Sequence, residues 1–245
     1  MEKCNILGVE IAVTNMMETV DYIEKNLEVL RGNYICISNV HNTVMAYEDK
    51  HYRNAINGGK FSLPDGKPLS IVQKEKGYKN ATRVTGPDLM GEIFNISERK
   101  GYKHYFYGST EDMLRVLSEK LKGKYPKLNI VGMYSPAFKE NIEEENAKVL
   151  EQINNVQTDF LWVGLGAPKQ EKWMFLHKGK VNSLMIGVGA GFDYYAEKIK
   201  RAPRWMQKYS LEWFYRLLQD PKRLLKRYVI TNSKFIYFTK VNKKF

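Results

Sequence analysis

The sequence predicts an α/β fold: a mostly parallel sheet with helices on both faces, plus a C-terminal helical appendage. Three observations carry this. Short apolar runs of strand length alternate with segments of helical period from the N-terminus to about residue 190, the pattern of βαβ units. Three of those runs open into glycine-bearing turns, at Gly108, at Gly164 and Gly166, and at Gly187, Gly189 and Gly191. After Arg201-Ala202-Pro203 the alternation stops and only basic helical segments remain. The body over 1–199 is thus Rossmann-like, and 200–245 forms a basic, amphipathic helical unit.

Taken in order, Ile6 to Val13 reads as the first strand, and Thr14 caps a helix whose Met17, Val20, Ile23, Leu27 and Leu30 fall at three- and four-residue spacing. Tyr34 to Ile37 is the second strand, ending in Ser38-Asn39-Val40-His41-Asn42. A helix then runs to about Ile56, stopped by Gly58-Gly59. Phe61 to Leu63 is a short third strand entering the turn triplet Pro64-Asp65-Gly66, with a helix from Lys67. Arg83 to Asp88 is a loop, and Pro87 is placed to start a helix through Arg99. Tyr102 to Tyr107 is a strand leading through Gly108 to a helix ending near Tyr125. Asn129 to Met133 is a strand, and Asn141 to about Asn155 a helix with Glu143, Glu144 and Glu145 on a solvated face. The apolar run after Asp159 breaks at Gly164, Gly166 and Pro168, then resumes as a polar helical segment with Gln170 and Glu171 in its first turn. Leu184 to Val188 is the last strand. Two tail helices follow, about Arg204 to Gln219 and about Lys222 to Val241, separated by Asp220-Pro221.

At 245 residues and 43% hydrophobic content the chain is long enough to bury a sizeable core. Two cysteines without a pairing pattern suit a reducing compartment and argue against a disulfide scaffold or zinc site. No signal-peptide layout opens the sequence and no apolar run reaches the length of a membrane span, so a cytosolic protein is expected. Charge is uneven. Residues 200–245 hold 13 Lys/Arg against two acids, Glu212 and Asp220, whereas the remainder holds 26 basic and 25 acidic residues. Nucleic acid, an anionic membrane surface and a diphosphate substrate are all candidates for that excess. Lys/Arg interleaved with Trp205, Trp213, Phe214 and Leu225 suits a helix lying on an anionic bilayer; the apolar stripe also suits docking on the body or an oligomer interface.

In an open parallel sheet the ligand crevice lies beyond the carboxyl ends of the strands, which turns attention to the residues there. Gly187 to Gly191 has G-x-G-x-G spacing rather than the G-x-G-x-x-G of a dinucleotide fingerprint, and no P-loop is present. Asp65 can accept a proton from a hydroxyl, or simply serve a favoured turn sequence. Asn39 can bind a sugar or cap a helix, and Arg83 can pair with phosphate or remain a solvated loop charge. His41, His51, His104 and His177 lack metal-ligand spacing, and no D-x-D pair exists to hold a metal against a nucleotide diphosphate.

Together these motifs resemble the WecG/TagA/CpsF family of bacterial glycosyltransferases along almost the whole chain. The matching pieces are Asn39, Pro64-Asp65-Gly66, Arg83 to Asp88, Gly164 to Trp173, Gly187 to Asp193, Arg201-Ala202-Pro203 and Leu211 to Leu217. The resemblance implies metal-independent, inverting transfer of an N-acetylhexosamine, N-acetylmannosamine in the best-known members, from a UDP-sugar. The acceptor would be undecaprenyl-diphosphate-linked N-acetylglucosamine, in teichoic acid or other surface polysaccharide synthesis. It implies no cofactor, no nucleic acid partner, and a peripheral location on the cytoplasmic membrane face. Asp65 would be the base. Asn39, Arg83, Gly166, Gln170, Gly187 and Gly189 would line the site, joined by Gly108 on its place at a glycine-bearing strand end, and Arg216 and Arg223 would close over the donor diphosphate, with a third basic position at Lys226 or Arg227. One position departs: some members carry a functional threonine where this chain has Ile37, and the adjacent Ser38 faces the other way along a strand. A nucleotide-dependent oxidoreductase and a nucleic-acid-binding protein are the rival classes.

Overall fold

The computed structural model describes residues 1–136 and 142–241. The body comprises β1 (Lys3–Ile6), β2 (Val9–Ala12), α1 (Met16–Leu30), β3 (Tyr34–Ser38), α2 (Val40–Glu48), α3 (Lys50–Asn57), β4 (Phe61–Pro64), α4 (Lys67–Glu75), α5 (Gly86–Lys100), β5 (Lys103–Gly108), α6 (Glu111–Lys124), β6 (Asn129–Tyr134), α7 (Ile142–Asn155), β7 (Phe160–Gly164), α8 (Lys169–His177), β8 (Leu184–Gly187) and α9 (Gly191–Tyr195). The tail adds α10 (Arg204–Lys208), α11 (Glu212–Gln219) and α12 (Pro221–Ile236), which continues as a π-helical turn, Tyr237–Val241. The strands form one sheet in the order β1-β2-β4-β3-β8-β7-β5-β6. Only the β1/β2 pair is antiparallel.

Because successive side chains in a strand face opposite ways, a sheet covered on both faces must be apolar at every position. β3 obeys this: Ile35 and Ile37 pack with one core cluster, Tyr34 and Cys36 with the other. α1, α5, α6 and α9 cover the first face; α2, α3, α8 and α12 cover the second. His104 sits within the first core, fully buried, its Nδ1 accepting from Trp162 Nε1–H at 3.0 Å. Desolvation pushes its pKa down to about 3, so it remains neutral.

Several boundaries differ from the sequence expectation. The first strand is a hairpin of β1 and β2, turned by Leu7 and Gly8, both at positive φ (52° and 82°). A buried leucine at such a turn leaves no local signal. Asn15, not Thr14, caps α1, accepting from Glu18 N–H at 2.9 Å, while the Thr14 hydroxyl is buried against that of Thr19. Met17 is exposed rather than inward. The long helix expected before Gly58 breaks at Asp49, whose carboxylate accepts from His51 and Tyr52 N–H and so caps α3. The first tail helix breaks at Ser210, at φ 62°. The short α9 lacks enough periodic positions to register in the sequence. The expected start of α7 at Asn141 lies outside the described residues, as do the side chains of Glu143, Glu144 and Glu145.

The tail does not stand clear of the body. α12 lies along α2, burying Leu224 and Phe235, and Phe238 meets the Tyr47 ring at 4.5 Å. Lys234 pairs with Glu48 and Lys240 with Glu75, both at 2.5 Å. Burying a side chain of that size stabilises by about 1.5–3 kcal/mol. α11, in contrast, has no buried residue.

Candidate active site

Register brings Asn39, Asp65 and Arg83 together at the carboxyl edge of the sheet. Ser38 aligns with Pro64, so Asn39 and Asp65 leave adjacent strand ends, and Asp65 N–H donates to Ser38 O at 2.7 Å. Val84 N–H donates to Pro64 O at 2.8 Å, which carries Arg83 past Asp65. Gly66 takes φ 104° and lets the chain turn immediately into α4. Desolvation pushes the Asp65 carboxyl up to about 6. Arg83 opposes that rise, Glu212 adds to it, Arg216 opposes it and Asp88 adds to it. One acid thus sits in the field of two cations and two further carboxylates, poised near neutrality.

Residues of the tail complete this wall. The Arg216 guanidinium lies 5.8 Å from the Tyr194 ring centroid, and Arg201 lies 5.9 Å from it. Desolvation is the main reason the Tyr194 phenol is pushed up to about 12. Arg201 pairs with Asp88 at 2.5 Å and approaches Glu212 at 3.6 Å; Glu212 also holds Arg83 at 3.1 Å. The Nε groups of Arg216 and Arg227 are buried without a hydrogen-bond partner among the described residues. Buried donors of this kind are costly unless an acceptor meets them.

Lys226 and Arg227 differ in burial. Lys226 is exposed, whereas Arg227 is half-buried, and desolvation lowers its pKa. Arg227 also acts on His41, whose pKa is pushed down to about 4 by burial first and by this cation second. Arg223 is exposed and paired with Asp220 at 2.5 Å on its own helix.

The glycine turns have divided roles. Gly108, at φ 117°, abuts the backbone of Gly164; a Cβ there would lie 2.7 Å from the Gly164 carbonyl. Gly108→Ala is therefore expected to destabilise the fold by more than about 1 kcal/mol, and an unchanged denaturation midpoint would contradict this. Gly166, at φ 76°, has open space where a Cβ would point, and Ala167–Pro168 is cis. Gly187 lies against Met174 and Gln170. Gln170 is 3% exposed, and its amide is already engaged. Oε1 accepts from Gly189 N–H at 3.0 Å, and Nε2 donates to Glu171 Oε1 at 2.7 Å. Burial holds the Glu171 carboxyl above its usual range. Several turn amides are likewise taken: Val188 N–H by Val163 O, Gly191 N–H by Val188 O, and Gln170 N–H by Gly166 O.

Asn39 caps α2, Oδ1 accepting from Asn42 N–H at 3.1 Å. Ile37 is 7% exposed, and Ser38 is buried with its hydroxyl accepting from Ser62 Oγ–H at 2.6 Å. Sequence reading missed Tyr194, Arg201 and Glu212 as site residues. Arg201 and Glu212 lay inside recognised motifs, but only the packing of the tail shows that they meet. Among the described residues, no three His, Cys, Asp or Glu side chains converge to hold a metal ion, and no helix is long and apolar enough to cross a membrane.

Comparison with known proteins bears on the family of the chain. The N-acetylglucosaminyldiphosphoundecaprenol N-acetyl-beta-D-mannosaminyltransferase of Bacillus subtilis (strain 168) is 29% identical over 240 residues, covering 94% of this chain and 91% of that one. The enzyme of the same name from Staphylococcus aureus (strain MW2) is 28% identical over 225 residues, covering 91% and 87%. The profile of the glycosyl transferase WecG/TagA/CpsF family matches residues 4–245, and the chain belongs to that family of glycosyl transferases.

Proposed function

We propose that this chain transfers an N-acetylhexosamine, N-acetylmannosamine first among candidates, from a UDP-sugar to undecaprenyl-diphosphate-linked N-acetylglucosamine with inversion and without a metal ion. The observation that carries this reading is Asp65 at the carboxyl edge of the sheet, a carboxylate with its pKa pushed up to about 6 by desolvation and within the electrostatic reach of Arg83 and Arg216. The relatives' names supply the sugar and the acceptor.

Asp65 takes the proton of the acceptor hydroxyl as that oxygen attacks the anomeric carbon. The bond from that carbon to the β-phosphate oxygen breaks, and UDP leaves with the electron pair. Arg216 and Arg227 meet the developing charge with fixed cations, the role a metal plays elsewhere. The engaged glycine-turn amides favour the arginines as the main counter-charge. Gln170 shapes the Gly189 turn. Exposed Trp205, Trp213, Phe214, Leu218 and Leu225 among Lys/Arg support docking of the tail on an anionic membrane, where the lipid acceptor resides.

A second reading, transfer of a different N-acetylhexosamine for capsule or exopolysaccharide, is favoured by one feature. Ile37 offers no hydroxyl where some family members have threonine, and the Ser38 hydroxyl is spent on Ser62. One assay tests both. The full chain is given a panel of UDP-sugars and the lipid-diphosphate acceptor in anionic vesicles, with and without EDTA, and UDP release is followed. Acceptor-dependent release with UDP-N-acetylmannosamine, unaffected by EDTA, is expected; release with another donor selects the second reading. No release from any donor sinks both, and loss in EDTA restored by Mg²⁺ sinks the metal-free mechanism.

A further inference from the structure

We propose that Glu212 and Gln219 are positioning residues: two polar clasps that dock α11 on the body and so place Arg216 over the crevice. The proposal rests on the reading of Arg216 as a diphosphate contact. α11 is unusual in how it is held. None of its residues is buried, and Trp213, Phe214 and Leu218 are exposed, so apolar packing does little to fix it. Besides the Arg216 contact with the Tyr194 ring and a Trp213–Tyr228 ring contact to α12 at 6.1 Å, it is tied to the rest of the chain by polar side chains at two points.

At the first point, the Glu212 carboxylate is 14% exposed and lies between two guanidiniums, Arg83 at 3.1 Å and Arg201 at 3.6 Å. Arg201 is in turn fixed by Asp88, and Asp88 by the Thr85 hydroxyl, which donates to it at 2.6 Å. At the second point, Gln219 makes a two-bond clasp with the backbone of one residue, Lys200. Its Oε1 accepts from Lys200 N–H and its Nε2 donates to Lys200 O, each at 3.0 Å. Residues 212, 216 and 219 follow one another at spacings of four and three, so all three share one face of the helix. Arg216 therefore sits between the clasps, and its position over Tyr194 depends on both. An element held mainly by exposed or polar contacts opens at lower free energy than one with a packed core. The clasps set how often Arg216 is in place.

The test uses the full chain with Glu212→Gln, which keeps shape and removes charge, and Gln219→Ala, which alters an exposed residue and spares the fold. Each is combined with Arg216→Ala. UDP affinity is measured by calorimetry, and trypsin cleavage after Arg216 is timed in the chains that retain it. Each single clasp variant is expected to weaken UDP binding about tenfold, the scale of one lost hydrogen bond to a charged group. Each should also speed cleavage at Arg216 with the melting temperature unchanged. Neither should weaken binding further once Arg216 is alanine, since both act through it. Unchanged UDP affinity and cleavage in both variants overturns the proposal, as does a clasp effect that adds in full to that of Arg216→Ala. If the unsubstituted chain binds no UDP, the functional reading falls; the cleavage rates still decide whether the clasps hold α11.

Discussion

Replacing Asp65 with asparagine is expected to lower kcat by about a hundred- to ten-thousand-fold, the usual worth of general-base assistance, with UDP affinity retained. The base works only when ionised. Since its pKa is pushed up to about 6, mainly by desolvation, the unsubstituted enzyme should lose activity as pH falls through about 6. Asp65→Asn should remove that limb from the residual rate. The same substitution should stabilise the fold. A carboxyl whose pKa rises on folding is held more tightly protonated in the native state, so stability falls as pH climbs from about 4 to about 6 and stays lowered above. At neutral pH the asparagine variant should gain on the order of 1–3 kcal/mol, a difference that vanishes below pH 4. Thermal melts at pH 7.5 and pH 3.5, beside kcat profiles, check both halves. Near-full turnover in Asp65→Asn would remove this residue from the base role.

The second large effect concerns Arg216. Arg216→Ala is expected to cut kcat/KM by about a hundred- to a thousand-fold, comparable to removing one donor from an oxyanion hole. Most of the loss should fall in kcat, because charge on the β-phosphate oxygen grows as the glycosidic bond breaks. Lysine at this position should recover only part of the rate, since a point charge lacks the planar fork of donors. Arg223→Ala serves as the contrast. That guanidinium is exposed and already paired with Asp220, so its removal should cost less than about tenfold, in keeping with the small worth of exposed pairs. Steady-state kinetics on the three variants with the lipid acceptor separates these expectations. Equal losses in Arg216→Ala and Arg223→Ala would argue that the tail binds the donor in another pose.

By itself the sequence determined the alternation of strands and helices, the three glycine-bearing strand ends, the turn that carries Asp65 and the basic bias of the tail. These are local matters: apolar period, turn chemistry and charge are written in neighbouring residues, so they are legible without a structure. It also carried the motifs that place Asp65, Gln170 and Arg216 in one family pattern. What only the tertiary structure decided depends on contacts between distant segments. The hairpin at Leu7-Gly8 arises where a buried leucine adopts a turn conformation that its type does not announce. Whether Gln170 faces a ligand or the Gly189 turn, and whether Lys226 or Arg227 points inward, follows from how α8 and α12 pack. The meeting of Glu212 with Arg83, across more than a hundred residues, exists only because α11 folds back over the strand ends. Charge pairing at such separation leaves no periodic trace along a chain, and only the docked tail brings Arg201 and Arg216 to the Tyr194 ring and Glu212 to Arg83.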